Sequence, residues 1–212
     1  MKKLFMVLPL VFLLCFTFSC KQEVMDSEKA ANVIYDAFEL EEDDKLEIME
    51  FFLESQESAI AKFRLSGNQL SSRIIRNDAG WMLSEIQNKE DEWVSAKNYL
   101  PIKGKLIDES DKAIADKWVT LYELFNKEGE LKASIKVGDG GILLNPGAKT
   151  NPQGSFTLIA DRRFWEESGM FTLGVGYMGR TVYLKDQNNI TISIKVDKNA
   201  KKAELGEIRV RY

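Results

Sequence analysis

The residues best suited to hold a ligand form an aromatic and basic group in the C-terminal half of the chain. Arg162, Arg163 and Trp165 lie close together in a polar stretch that ends in glycine, and Tyr177 follows. A tryptophan ring beside guanidinium groups is typical of sugar stacking and of binding hot spots, because cations are attracted to its flat π face. These four residues are the candidate ligand-binding set. The alternative is that Trp165 covers one end of a hydrophobic core.

Catalytic chemistry has few residues to use, because the chain of 212 residues contains no histidine. Histidine is the commonest general base and the commonest transition-metal ligand, so Ser-His-Asp sites, Cys-His sites and most zinc sites are excluded. The Ser-x-x-Lys motif is absent, and the 33 acidic residues single out no carboxylate pair for glycoside hydrolysis. We expect no catalytic residues and no enzyme, and a carboxylate-based hydrolase is the less favoured alternative.

Two further patterns are weak candidates for cofactor or metal binding. Residues 174–179 match the G-x-G-x-x-G string, but the β-branched and aromatic residues that follow predict a strand, whereas a dinucleotide site needs a helix there. Residues 41–44 are consecutive carboxylates and lack the alternating ligands and turn glycine of a calcium loop. We expect a glycine-rich hairpin and a solvated acidic segment, with no cofactor and no metal.

The N-terminus predicts export and lipid attachment. Two lysines precede an uncharged run over residues 4–18, which is shorter than the roughly 20 residues of a bilayer-spanning helix. Ser19 and Cys20 follow, and a small residue directly before a cysteine at this place resembles the bacterial lipoprotein lipobox. The resemblance implies a signal peptide over residues 1–19, a lipid on Cys20 and a lipidated tether over residues 20–28. An ordinary cleaved secretory signal is the alternative.

This resemblance also implies a location. The chain would be anchored to a membrane of the bacterial cell envelope through its N-terminal lipid. The lysine that follows Cys20, where an inner-membrane signal has aspartate, favours the outer membrane, facing either the periplasm or the surface.

Charge divides the remainder of the chain into two halves near Asn98. Residues 21–97 carry a net charge of −9 and residues 98–212 carry +3, within a total of −4. Opposite signs favour attraction between the halves at short range. Since no strongly basic surface is predicted, nucleic acid is not an expected partner.

The first half, residues 29–97, has the pattern of a small acidic α+β domain. Residues 30–40 place apolar side chains at helical spacing, after two candidate capping residues, Asp26 and Ser27. Residues 46–53 fit a strand and a helix equally well. Alternating runs joined by turn residues then predict antiparallel hairpins.

The second half, residues 98–212, is predicted to be mainly β. Seven short runs separated by turn residues are the usual signature of an antiparallel β-sandwich. These runs are Ile102–Ile107, Trp118–Phe125, Phe156–Ala160, Phe171–Val175, Thr181–Leu184, Ile190–Val196 and Ile208–Tyr212. The tryptophans at positions 81 and 118 lie in predicted strands, and we expect both to belong to the core.

Three segments of this half resemble the carboxypeptidase-regulatory-like domain, which has a transthyretin-like fold. They are the I-x-G-x-hydrophobic-x-D pattern at 102–108, the T-N-x-x-G-x-F-x-L pattern at 150–158 and the aromatic-x-L-x-V pattern at 171–175. The resemblance implies a seven-stranded antiparallel sandwich that serves as an accessory, spacer or recognition module. A tight turn before the strand at 156–160 needs positive φ at Gly154, and Phe156 and Leu158 are expected in the core.

These observations predict a mainly β, non-enzymatic, lipid-anchored envelope protein that binds or scaffolds another envelope protein or a glycan. The alternative function is that of a carbohydrate- or ligand-binding lipoprotein in an uptake system, with Trp165 and Tyr177 at its site.

Overall fold

The computed structural model of the protein describes residues 24–88, 91–124, 131–132, 134–137, 141–144, 146–162, 170–177, 180–185, 193–195, 197 and 199–210. Cys20, Arg163 and Trp165 lie outside these residues. Within them the fold is mainly β, with one α-helix and largely antiparallel sheets, as the sequence predicts. The helix in this part of the chain is too short and too polar to cross a bilayer.

Helix α1, Ser27–Ala37, begins at one of the two predicted caps. The Asp26 carboxylate accepts a hydrogen bond from the backbone amide of Lys29 at 2.9 Å, which satisfies one of the free N–H groups of the first turn. Ala30 and Ile34, one turn apart on the helix, are fully buried. They belong to one core cluster with residues of the sheet that follows.

Five antiparallel strands form this first sheet, and their order in space is their order along the chain. Residues 46–53, which fit either structure by sequence, form an edge strand. Alternate residues of the second strand are buried in the cluster that contains α1, because successive side chains of a strand point to opposite faces. The strands are β1 (Leu46–Leu53), β2 (Ser58–Leu65), β3 (Asn68–Asn77), β4 (Gly80–Gln87) and β5 (Trp93–Ser95).

The second half is a sandwich of two main sheets. Its strands are β6 (Tyr99–Ile107), β7 (Trp118–Leu124), β8 (Leu131–Lys132), β9 (Ser134–Val137), β10 (Gly141–Leu144), β11 (Gly147–Lys149), β12 (Ser155–Asp161), β13 (Met170–Tyr177), β14 (Arg180–Tyr183), β15 (Ile194–Lys195) and β16 (Ala203–Arg209). One main sheet has the order β12-β6-β16. The other has the order β11-β7-β13-β14, with β8 beside β7 and β15 beside β13, and β9 pairs with β10.

The predicted strands of this half overlap β6, β7, β12, β13, β14, β15 and β16, and the pairs among the described residues are antiparallel with one exception. β16 runs parallel to β6, with Ala203 opposite Ile102 and Arg209 opposite Ile107. Hairpin connections impose antiparallel pairing on strands that are neighbours in sequence. β6 and β16 lie at opposite ends of this half, so no hairpin sets their relative direction.

The turn before β12 has the conformation that the sequence predicts. Gly154 has a φ of +78°, in the region that glycine occupies without strain. Phe156 and Leu158 are buried in the core between the sheets, which confirms their predicted positions.

β6 and β12 are buried on both of their faces. Leu100 and Leu158 point into the sandwich core, whereas Tyr99 and Ile159 point outward and pack into the core of the first half. The first half therefore covers the outer face of this sheet. The 3₁₀ turn Ala96–Asn98 lies between the two halves in sequence.

Candidate functional site

A cleft of about 800 Å³ lies where the two halves meet. The first half contributes residues 41 and 43–47, before and at the start of β1, together with Arg64 of β2 and the turn between β2 and β3. The second half contributes β6, the turn that leads into β12, and β16. The lining residues are mainly polar: Glu41, Asp43, Asp44, Lys45, Leu46, Glu47, Arg64, Ser66, Gly67, Lys103, Gly104, Lys105, Lys149, Thr150, Asn151, Pro152, Ser155, Phe156, Thr157, Glu204, Gly206 and Glu207.

The inner wall of the cleft is a buried ion pair between the halves. The Lys103 ammonium group lies 2.7 Å from the Asp44 carboxylate, and the two side chains are only 10% and 11% exposed. Lys103 also donates a hydrogen bond to the Glu39 carbonyl at 3.1 Å, and the Thr157 hydroxyl donates one to Asp44. A buried charge needs such partners, because desolvation of an unpaired ion is strongly unfavourable.

This arrangement corrects the prediction that residues 41–44 form a solvated acidic segment. Glu41, Glu42 and Asp43 are exposed, as expected, but Asp44 reaches into the boundary between the halves. The predicted attraction between an acidic first half and a basic second half is realised at this pair.

The outer walls carry exposed ion pairs. Glu47 and Arg64 lie 3.0 Å apart on the first half, and Lys105 and Glu207 lie 2.7 Å apart on the second. Acidic and basic groups therefore alternate around the opening, and neither sign dominates it. Such exposed pairs contribute little to stability, about 0–1 kcal/mol each.

Lys149 forms a further pair at the rim of the cleft, with Asp116 at 2.6 Å. This hydrogen bond, together with the positive charge of Lys149, holds the pKa of the Asp116 carboxyl below its usual value. Asp116 is therefore a carboxylate at neutral pH, and the contribution of this pair to folding is present above the usual aspartate pKa and is lost as the pH falls from there through the lowered pKa. The rim thus presents a charged donor and a charged acceptor side by side.

The Trp118 indole lies next to Lys149 and is 42% exposed, so the prediction that Trp118 belongs to the core is wrong. Its ring lies against the backbone of Gly147 and Gly67. A Cβ atom at Gly147 would be 2.6 Å from Trp118 Nε1, and one at Gly67 would be 3.3 Å from Trp118 Cζ3. The indole fits in this position because neither glycine has a side chain that would collide with it.

Of the predicted ligand-binding set, Arg162 is described with its side chain, and it does not line the cleft. Arg162 is the first residue after β12, and its guanidinium group donates a hydrogen bond to the Ala200 carbonyl. The backbone of Tyr177 ends β13, one residue beyond Gly176, which lies beside Trp118. Arg163 and Trp165 lie outside the described residues.

Several lining residues lie within the patterns at 102–108 and 150–158, but those patterns concern the fold and single out no ligand site. Asp44 and Lys103 are distant in sequence, and each looks like an ordinary surface charge. The opposite net charges of the two halves are the one signal that points to their meeting. Trp118 lies on the same side of β7 as Thr120 and Tyr122. The opposite side carries Val119 and Leu121, which are buried, so the alternation along the strand could have placed Trp118 outside the sandwich core.

A second cavity, of about 500 Å³, lies between the same halves on the side of Tyr99 and Asp161. Both of these side chains are nearly inaccessible. Its Tyr99 thus offers a ligand no exposed aromatic ring, whereas the exposed Trp118 lies beside Gly67 and Lys149, which line the larger cleft. Among the residues described, no three His, Cys, Asp or Glu side chains are placed to share a metal ion.

Comparisons with known proteins identify no family. No family model matches the chain, and no curated protein matches it. Among solved structures, a 9R-lipoxygenase from Cyanothece PCC8801 is 14% identical, with a TM-score of 0.33 over 54% of this chain and 17% of the other. A 3-chlorocatechol 1,2-dioxygenase from Rhodococcus opacus 1CP is 14% identical, with a TM-score of 0.31 over 52% of this chain and 59% of the other.

BcpA, the major pilin subunit of Bacillus cereus, is similar over a longer part of the chain. It is 11% identical, with a TM-score of 0.31 over 76% of this chain and 41% of the pilin. The chain thus spans less than two thirds of each of these proteins. Similarity of this extent does not indicate a common activity.

Proposed function

We propose that the chain is a lipid-anchored protein of the bacterial cell envelope that binds another envelope molecule, without catalysis, in the cleft between its two halves. The observation that carries this proposal is the cleft itself. It is about 800 Å³ in volume, within the range of small-molecule sites, and it lies between two halves held together by a buried ion pair. The lipobox-like sequence at Cys20 supports the location.

The charged side chains of the cleft favour binding over catalysis. Arg64, Lys103, Lys105 and Lys149 each lie within 3.0 Å of a carboxylate oxygen. A cation engaged by a carboxylate in this way can offer its remaining N–H groups to a ligand as hydrogen-bond donors. The chain also lacks the histidine that most often serves as a general base.

Lipid attachment is tested by changing Cys20 to serine in the full-length chain. We expect the variant to incorporate no labelled fatty acid, because the diacylglycerol would be attached to the sulfur atom of Cys20. Cys15→Ser is the matched control, since Cys15 lies within the apolar run, and it should be labelled as strongly as the unchanged chain. Undiminished labelling of Cys20→Ser would contradict the anchor.

Binding in the cleft is tested by photocrosslinking in cells. A photoreactive side chain at Lys45, an exposed residue of the cleft, should give one dominant covalent product with an envelope component. The control is the same substitution at Lys97, which is also exposed and lines neither cavity. Products of equal yield at both positions, or none at Lys45, would contradict the proposed site.

A further inference from the structure

We infer that the ligand of the cleft is a neutral glycan, with one sugar ring stacked on the indole of Trp118. This inference rests on the proposed function, since it takes the cleft to be the binding site, and it adds the chemical class of the ligand. It also moves the stacking residue from Trp165, which the sequence favours, to Trp118.

The first argument is the way in which Trp118 is held. Its ring lies on the backbone of Gly147 and Gly67, and a Cβ atom at Gly176 would lie 3.8 Å from the Trp118 Cβ, so no side chain at these three positions covers it. The remaining 42% of the residue faces solvent. A flat, fixed and accessible ring suits a pyranose, because the slightly positive C–H groups of one sugar face meet the negative face of the π system. Little conformational entropy is lost on binding to a ring that is already fixed.

The second argument is that Trp118 adjoins the cleft. Gly67 and Lys149, which both line the cleft, are the residues beside the indole: the Cβ position of Gly67 is 3.3 Å from both the Trp118 ring and the Lys149 Cβ. A sugar on the ring therefore lies within one residue of the opening. Further units of the same chain can enter the cleft from there.

The third argument is the balance of charge on the walls. The lining includes five basic residues (Lys45, Arg64, Lys103, Lys105 and Lys149) and six acidic ones (Glu41, Asp43, Asp44, Glu47, Glu204 and Glu207). A strongly charged ligand of either sign would meet like charges on one wall. A sugar hydroxyl can donate to a carboxylate and accept from an ammonium or guanidinium group, so a neutral polyhydroxylated ligand can bond to both.

The experiment is frontal affinity chromatography of the detergent-solubilised full-length chain on immobilised neutral polysaccharides: a β-glucan, an α-glucan and a galactomannan. Columns of an anionic and a cationic polysaccharide are run beside them. We expect retention on at least one neutral column. Trp118→Ala should raise the dissociation constant by about tenfold or more. Trp118→Phe, which keeps a flat ring, should raise it less.

Trp93→Ala is the matched control. Trp93 lies in β5, outside the cleft, with the Arg73 guanidinium 4.2 Å above its ring. Its removal should leave retention unchanged. The inference is overturned if no neutral column retains the chain, if retention is confined to a charged column, or if Trp118→Ala is retained like the unchanged chain.

A second measurement needs no variant and covers the case in which Trp118→Ala does not fold. N-bromosuccinimide oxidises accessible indoles, and peptide mass spectrometry locates the product. The retained polysaccharide should protect Trp118 from oxidation at least threefold and leave Trp93 unprotected; equal oxidation of Trp118 with and without the polysaccharide overturns the inference. If a protein is crosslinked at Lys45 and no polysaccharide retains the chain, the glycan inference is wrong but the proposed binding function stands. If both experiments fail, the proposed binding function is contradicted as well.

Discussion

Replacing Lys103 with methionine is expected to lower the free energy of unfolding by about 3–5 kcal/mol. The methionine fills a similar volume but leaves the Asp44 carboxylate buried without its counter-ion. A buried, unpaired charge is far less stable than a buried pair, because the desolvation of the ion is no longer offset by attraction. The Glu39 carbonyl also loses the hydrogen bond that Lys103 donates.

Equilibrium urea unfolding of matched variants isolates this effect. Lys105→Met removes a pair of the same kind, with Glu207 at 2.7 Å, from the same strand but at an exposed position, and it should change the stability by no more than about 1 kcal/mol. The double variant Lys103→Met with Asp44→Leu should recover much of the loss, because both charges are then absent. A Lys103→Met variant as stable as Lys105→Met would contradict the view that a buried pair joins the halves.

The strands were predictable from local patterns because each half buries one face of a sheet. β2 illustrates this: Ala61 and Phe63 are buried in the core, and Lys62 between them is exposed, so alternation in the sequence is alternation in space. The turn at Gly154 was predictable for a similar reason, since the conformation of a tight turn depends on the residues within it.

The cleft was not predictable because it depends on how the two halves meet. β6 is covered on both faces, and the side of the strand that carries Tyr99 and Lys103 is buried only because the first half lies on it. Nothing local distinguishes Lys103, which is buried, from Lys105, which is partly exposed two positions later. Trp118 was misplaced because the prediction considered its size and hydrophobicity alone; Val119 and Leu121, on the other side of β7, are the residues buried in the sandwich core.

Replacing Gly154 with alanine is expected to lower the free energy of unfolding by about 3 kcal/mol or more. Two effects add. Alanine at a φ of +78° is strained, by about 1–2 kcal/mol. Its Cβ atom would also lie 2.5 Å from the Leu106 carbonyl oxygen and 3.2 Å from the Ile114 amide nitrogen, and both of these are backbone atoms that cannot rotate away.

Gly206→Ala separates these two effects. Gly206 has a similar φ of +64°, but nothing lies within 4 Å of its Cβ position, so the variant measures the conformational strain alone, about 1–2 kcal/mol. The excess loss in Gly154→Ala, measured by urea unfolding, is then the collision with β6. Equal losses in the two variants would contradict this account.

The turn that contains Gly154 also links the fold to the cleft. The Gly154 carbonyl accepts a hydrogen bond from the Leu106 amide at 2.9 Å, which ties the turn to β6 next to Lys105. Asn151 and Pro152, in the same turn, line the cleft. A displacement of this turn therefore moves one wall of the site, and Gly154→Ala should weaken ligand binding even under conditions in which the variant is fully folded.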